Sequence, residues 1–127
     1  MHEFSVAQAL LDAALPEAAR YGATRITAVA CRIGVLRQVD ASLLGEAFAA
    51  VAEGTVCAGA VLAIERTFLH ATCSQCGLRF AVRNWDWRCP HCHGDGVDPA
   101  GGDELELVSV DLEAPDESRN PAQRVSA

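Results

Sequence analysis

The sequence predicts an α+β fold in which two helices and three strands form one domain and a cysteine-rich segment is inserted before the last strand. Two segments carry apolar residues at helical spacing, three others are rich in β-branched residues, and four of the six cysteines lie within residues 73–92. The 127 residues suffice for one domain with a smaller appendage, and they are too few for most multidomain enzymes.

The first helix is predicted to begin at a capping box formed by Ser5 and Gln8 and to end near Gly22. Pro16 lies within this segment and removes one backbone hydrogen bond, so we expect a kink or a helix restart there. The apolar face expected from helical spacing consists of Val6, Ala9, Leu10, Ala13 and Ala14.

The second helix is the clearest amphipathic segment of the chain. We expect Asp40 or Ser42 to cap its first turn and Gly54 to end it. Its predicted apolar face consists of Leu44, Ala47, Phe48 and Val51.

Residues 24–33, 60–67 and 104–113 are predicted to be strands, because they combine β-branched residues with alternating polar ones. Glycine, proline and aspartate crowd residues 94–103, which predicts a loop that returns the chain to the sheet. The segment 114–127 is polar and contains proline, so we expect it to be a disordered tail.

Charge and hydropathy argue against two classes of partner. The 10 basic and 17 acidic side chains give a net charge of -7, which repels nucleic-acid phosphates. No apolar run approaches the ~20 residues of a membrane-spanning helix, and the start of the chain does not resemble a signal peptide. We therefore expect a cytoplasmic protein whose cysteines are thiols or metal ligands.

Four of the cysteines are spaced as two metal-binding knuckles. Cys73 and Cys76 form one CxxC, Cys89 and Cys92 form another, and twelve residues separate them. Two such turns facing each other make the tetrahedral four-thiolate cage that zinc prefers. Because this cage has no open coordination position, we predict a structural zinc, whose binding free energy of about 10 to 16 kcal/mol would stabilise a small segment.

The cysteines also permit other interpretations. Four thiolates can hold iron in a rubredoxin-like site, a thioredoxin-like motif needs only one CxxC, and disulfides need an oxidising compartment. Cys31 and Cys57 have no partner at ligand spacing and are predicted to be buried small hydrophobic residues. His91 and His93 are expected to be exposed, and the alternative for His93 is that it replaces or orients a thiolate.

The chain begins Met1, His2, Glu3. A histidine at position 2 can chelate a metal through the terminal amine, its own backbone nitrogen and its imidazole, because these close adjacent five- and six-membered rings. Square-planar nitrogen coordination suits Ni(II) or Cu(II). Considered alone, each of these residues is more commonly explained without a metal. His2 is then an incidental surface residue, Glu3 is a carboxylate at a helix N-terminus, and Asp40 is a helix cap.

Four features of the chain are more specific together than apart. They are MHEFS at the start, RIGVLRQVD ending at Asp40, the amphipathic helix that follows, and the paired knuckles before the last strand. In this combination, residues 1–113 resemble the HypA/HybF family of hydrogenase-maturation nickel metallochaperones. The resemblance implies a three-stranded sheet with two helices over residues 1–68 and 104–113, with a zinc ribbon inserted at residues 69–103.

The resemblance also implies the metal ligands. It places nickel on the Met1 amine, His2 and Glu3, with Asp40 as the acidic residue near that site. Zinc falls on the four knuckle residues Cys73, Cys76, Cys89 and Cys92. Some members of the family add a histidine beside each knuckle. His93 matches the second of these, as an auxiliary to the zinc site, but Leu78 stands in place of the first.

By this resemblance, the protein passes nickel to the large subunit of a [NiFe]-hydrogenase together with the companion GTPase HypB, and urease maturation proteins are further candidate partners. We predict no enzyme, since the chain has no clear nucleophile and base and no phosphate-binding glycine loop. The alternative is a zinc-ribbon interaction adaptor without nickel transfer. Residues 95–117 hold nine acidic side chains and no basic one, which indicates a solubilising face or a docking surface for a basic partner.

Overall fold

A computed structural model describes residues 2–114 and the backbone of residues 123–126. The helices are α1 (His2–Arg20) and α2 (Ala41–Ala52), with a 3-10 turn at Val35–Arg37. The strands are β1 (Arg25–Gly34), β2 (Val61–Thr67), β3 (His70–Cys73), β4 (Arg79–Ala81), β5 (Gly96–Ala100), β6 (Leu105–Glu113) and β7 (Gln123–Ser126). No helix among these residues is long and apolar enough to cross a membrane.

The chain divides into two compact units. Among the described residues, the first unit comprises 2–32, 39–65, 106–114 and 123–126, and the second comprises 33–38 and 66–105. The predicted insert at 69–103 therefore lies within the second unit. This unit also includes the 3-10 turn Val35–Arg37 that follows β1.

The first unit holds a sheet in the order β2-β1-β6-β7. The three predicted strands are all present, and β7 extends the sheet by pairing antiparallel with β6, with Val125 opposite Val110. The predicted tail at 114–127 is therefore wrong at residues 123–126, while residues 115–122 lie outside the described part of the chain. Pairing satisfies backbone groups that β6 presents at its edge, a gain that the polar composition of the tail does not reveal.

Helix α1 differs from the prediction in the residue at which it begins, in its passage through Pro16 and in the side chains that it buries. It begins at His2, so Ser5 is a helical residue and not a cap, and it runs through Pro16 without a restart. Ala9 and Ala13 are exposed, because packing against α2 selects a different face of this alanine-rich helix. The buried side chains are Val6, Ala7, Leu10, Leu11, Ala14, Glu17 and Ala18.

Helix α2 follows its prediction closely. The side chain of Asp40 accepts a hydrogen bond from the backbone N–H of Leu43 at 3.0 Å, which caps the first turn. Val51 is only half-buried, and the buried residues are Leu44, Ala47, Phe48 and Ala52. The cap at Asp40 is therefore confirmed.

The second unit holds a separate antiparallel sheet in the order β4-β3-β5. Strand β5 lies within residues 94–103, where the sequence predicts only a loop, because pairing with β3 overrides the weak strand preference of glycine, aspartate and proline. The core of this sheet consists of Leu69, Ala71, Cys73, Phe80, Val82 and Cys89. Two of the predicted metal ligands are therefore core residues of the second unit.

Candidate metal centres

The four knuckle cysteines come together in the second unit. Their sulfur atoms all lie within 4.8 Å of one another. The distance from Cys73 Sγ to Cys92 Sγ is 3.4 Å, and that from Cys76 Sγ to Cys89 Sγ is 3.7 Å. Four sulfurs held tetrahedrally by zinc at about 2.3 Å lie about 3.8 Å apart. The donor set and its spacing are therefore consistent with zinc.

The two knuckles have the same kind of backbone turn. In the first, the N–H of Gly77 donates to the carbonyl of Cys73 at 3.1 Å, and in the second the N–H of His93 donates to the carbonyl of Cys89 at 2.9 Å. Both donors are left-handed, with φ of 77° at Gly77 and 66° at His93. Histidine tolerates this region better than most residues do. His93 thus closes the second knuckle with its backbone, and its side chain is exposed.

Backbone N–H groups point at the sulfur atoms. Those of Gln75 and Cys76 both donate to Cys73 Sγ at 3.4 Å, and that of His91 donates to Cys89 Sγ at 3.3 Å. The N–H groups of Cys76 and Gln75 lower the pKa of Cys73 to about 6. Since the thiolate is the form that binds metal, the turn of the first knuckle favours the ligating state of Cys73.

Gly94 lies against the cluster. A Cβ added there would be 2.9 Å from Cys73 Sγ and 3.4 Å from Cys92 Sγ. This residue is not among the predicted site residues, because its only signal in the sequence is a glycine two positions after the second CxxC. Glycine is needed at this position because the backbone must approach the sulfurs closely.

Cys31 and Cys57 are confirmed as buried small residues outside the cluster. Cys31 is 1% exposed and Cys57 is 0% exposed. Burial raises the pKa of each thiol to about 11. Both therefore stay neutral near pH 7 and are poor metal ligands.

The predicted nickel ligands lie at the start of the first unit. His2 and Glu3 form the first turn of α1, and His2 is exposed. Glu3 Oε2 accepts a hydrogen bond from the backbone N–H of Asp40 at 3.1 Å, so the fold brings these two residues together across 37 positions of sequence. Met1 lies outside the described residues, and the nickel ligand set stays a prediction.

Within residues 2–114, the four cysteines form the only group of three or more histidine, cysteine, aspartate or glutamate side chains close enough to share a metal ion. The two predicted centres are thus unlike: one is a gathered cluster and the other a pair of neighbouring side chains with Asp40 beside them.

Comparison with known proteins decides the family. The family described as "Hydrogenase/urease nickel incorporation, metallochaperone, hypA" matches residues 1–112. The chain belongs to the HypA family. It is 38% identical over 112 residues to the hydrogenase maturation factor HypA of Nitrosospira multiformis, covering 88% of this chain and 97% of that protein. It is 32% identical over 113 residues to the hydrogenase maturation factor HybF of Salmonella typhimurium, covering 89% of this chain and 100% of that protein.

Solved HypA structures share the fold. The solution structure of the Ni metallochaperone HypA from Helicobacter pylori matches with a TM-score of 0.60 and 31% identity, over 91% of this chain and 100% of that one. A second solution structure of a HypA protein matches with a TM-score of 0.63 over 91% of this chain and 98% of that one. The family, the α+β fold and the association with nickel and hydrogenase maturation predicted from the sequence are confirmed.

Proposed function

We propose that this HypA chain binds Ni(II) at its amino terminus and delivers it, with the GTPase HypB, to the large subunit of a [NiFe]-hydrogenase. The observation that carries this is the match of residues 1–112 to the nickel-incorporation family, with Met-His-Glu at its start. Urease maturation proteins are second candidate partners, in line with the family description. The chemistry is ligand exchange, so the protein is not an enzyme.

In this proposal, Cys73, Cys76, Cys89 and Cys92 hold a structural zinc. Support comes from the four sulfurs lying within 4.8 Å of one another and from the N–H groups aimed at Cys73 Sγ and Cys89 Sγ. Zinc would crosslink the two knuckles in the core of the second unit. The thiolates must stay reduced, and the proposal therefore places the protein in the cytoplasm.

The nickel ligands proposed are the Met1 amine, the backbone and imidazole nitrogens of His2, and the Glu3 carboxylate, with Asp40 beside them. The first N–H groups of a helix take no part in its internal hydrogen-bonding pattern, so nickel can take the His2 nitrogen without breaking α1. The hydrogen bond from Asp40 orients Glu3. Because His2 is exposed, an acceptor can replace these ligands one at a time.

The test is a nickel titration of zinc-loaded full-length protein with a native amino terminus. One nickel per chain is expected. His2→Gln should weaken nickel binding by more than the roughly 10- to 100-fold that loss of an outer-sphere partner costs, because it removes a direct ligand. One residue added before Met1 should have the same effect, because it moves the amine out of the chelate. Isothermal titration and metal analysis measure both metals.

His91→Gln is the matched control, since it removes another exposed imidazole and should leave nickel binding unchanged. Zinc content should stay near one per chain in every variant. Nickel binding that survives both His2→Gln and the added residue contradicts the amino-terminal site. A chain that holds zinc and takes up no nickel would instead be a zinc-ribbon interaction adaptor.

A further inference from the structure

A tight hairpin in the second unit presents Trp85 at its tip. Arg83 and Asp86 pair as an antiparallel bridge, and the N–H of Asp86 donates to the carbonyl of Arg83 at 3.0 Å. The two residues between them are both left-handed, with φ of 54° at Asn84 and 60° at Trp85. Two central residues with positive φ are the pattern of a type I′ turn.

Trp85 is an unfavourable residue both for the left-handed backbone of this turn and for a solvent-exposed position. Asparagine is favoured at the first central position of such a turn, but the second strongly prefers glycine, and a bulky residue there carries a steric cost. Tryptophan is usually well buried, whereas Trp85 is 54% exposed. The fold therefore bears backbone strain to hold a large aromatic side chain at the surface, and such strain is concentrated at functional sites.

An apolar cavity lies beside the indole. Its volume is about 180 Å³, and it is lined by Val35, Phe68, Val82, Asn84 and Trp85. The guanidinium of Arg83 lies 4.4 Å from the centre of the Phe68 ring. The hairpin thus combines an exposed tryptophan, a cavity large enough for an aliphatic side chain, and an arginine held at its edge.

The hairpin region is basic in an acidic protein. Residues 79–93 contain the exposed arginines Arg79, Arg83 and Arg88 and only one acidic residue, Asp86, in a chain of net charge -7. Asp86 pairs with Arg88 at 3.2 Å, and no other ion pair involves this segment within the described residues. Arg83 and Arg88 also line a second cavity of about 510 Å³ beside the hairpin.

We propose that the hairpin tip docks a segment of a partner protein that is acidic and carries an exposed aliphatic side chain. The aliphatic group enters the cavity beside Trp85, and carboxylates on either side pair with Arg83 and Arg88. Tryptophan and arginine are the residues that most often dominate the energy of protein interfaces, and complementary charge selects the partner. The apolar cavity beside Trp85 favours a protein segment over nucleic acid as the occupant, because nucleic acid has no aliphatic side chain to fill it.

The hairpin contains none of the proposed nickel ligands, so docking there does not depend on nickel delivery. The test is fluorescence polarisation with a labelled peptide in which two leucines are flanked by aspartate and glutamate, titrated with zinc-loaded full-length protein. We expect binding with a Kd below roughly 1 mM and a blue shift of tryptophan emission. A matched peptide with lysine at every acidic position should not bind.

Two variants of Trp85 distinguish the contribution of the indole to binding from the backbone strain at this position. Trp85→Gly and Trp85→Ala both remove the indole, and each should weaken peptide binding about 10-fold or more. Only glycine accepts the left-handed backbone without cost, so the glycine variant should melt about 4–8 °C above the alanine variant. Equal melting temperatures of the two variants would contradict backbone strain at Trp85.

Arg83→Glu should weaken peptide binding about 10-fold or more, as a hot-spot residue does. Arg25→Glu is the matched control, because it makes the same charge change on an exposed residue of the first unit and should alter binding less than about 2-fold. Equal losses with the two charge variants would show non-specific attraction and overturn the proposal.

Several other results would overturn the proposed docking of an acidic segment at the hairpin. They are wild-type affinity in Trp85→Gly, equal binding of the lysine peptide, and no acidic-peptide binding up to roughly 1 mM. Tighter binding of an oligothymidylate would assign the hairpin to nucleic acid. Self-association that Trp85→Gly abolishes, measured by sedimentation equilibrium, would assign it to a second copy of the chain.

Discussion

The four-cysteine cluster and the amino terminus differ in how far the protein prepares each of them for a metal. The cysteine sulfurs all lie within 4.8 Å of one another, and backbone N–H groups already stabilise the thiolate of Cys73. At the amino terminus, His2 is exposed, and Glu3 accepts one hydrogen bond from the backbone N–H of Asp40. One arrangement is gathered and part of a core, while the other is open.

This difference matches two uses of a metal ion. A cluster with two of its ligands, Cys73 and Cys89, in the core of its unit cannot release its metal without disrupting that core, which suits a structural ion. Side chains in a first helical turn, with His2 exposed, can exchange ligands and leave α1 intact, which suits a metal that must be passed on. The contrast can be tested by variants that disturb each region separately.

The largest effect is expected from Cys73→Ser. It removes one of the four proposed zinc ligands, and structural zinc binding is worth about 10 to 16 kcal/mol, a free energy comparable to the stability of a whole small domain. Zinc should be lost, and hydrogen exchange should show opening of residues 66–105. Cys57→Ala, which alters a buried cysteine outside the cluster, should keep its zinc. Full zinc retention in Cys73→Ser would mean that the cluster is not a four-thiolate site.

A smaller effect is expected from Gly94→Ala, which places a methyl group 2.9 Å from Cys73 Sγ. The sulfur must shift, so zinc affinity measured by chelator competition should fall roughly 10- to 100-fold, as for outer-sphere changes at other metal sites. Gly45→Ala is the control, because it lies in α2 with no atom within 4 Å of the added Cβ. That control should raise stability by about 0.5–1 kcal/mol. Unchanged zinc affinity in Gly94→Ala would show that the cluster can relax.

The smallest effect is expected at Asp40, where capping and nickel binding can be separated. Asp40→Ala removes the cap of α2 and should cost about 1 kcal/mol in chemical denaturation. Asp40→Asn preserves the cap, because asparagine caps as well as aspartate does, and it removes only the charge. Weaker nickel binding by the stable Asn variant would assign the carboxylate to the nickel site. Unchanged nickel binding would leave Asp40 as a cap that also orients Glu3.

The sequence by itself determined the features that depend on residues close together in the chain. The CxxC spacing predicted the cysteine cluster because each knuckle is a local turn, and Asp40 was predicted as a cap because the hydrogen bond reaches only to Leu43. The strands that became β1, β2 and β6 were also visible, since their β-branched and alternating residues are a local pattern.

Only the tertiary structure decided the features that depend on distant partners. The face of α1 was chosen by packing against α2, and β5 and β7 exist because β3 and β6 offer edges to pair with. The same holds for the contact of Glu3 with Asp40, 37 positions away. Local propensity differs by only about 1 kcal/mol between residue types, and long-range pairing and burial exceed that difference without leaving a pattern in the adjacent sequence.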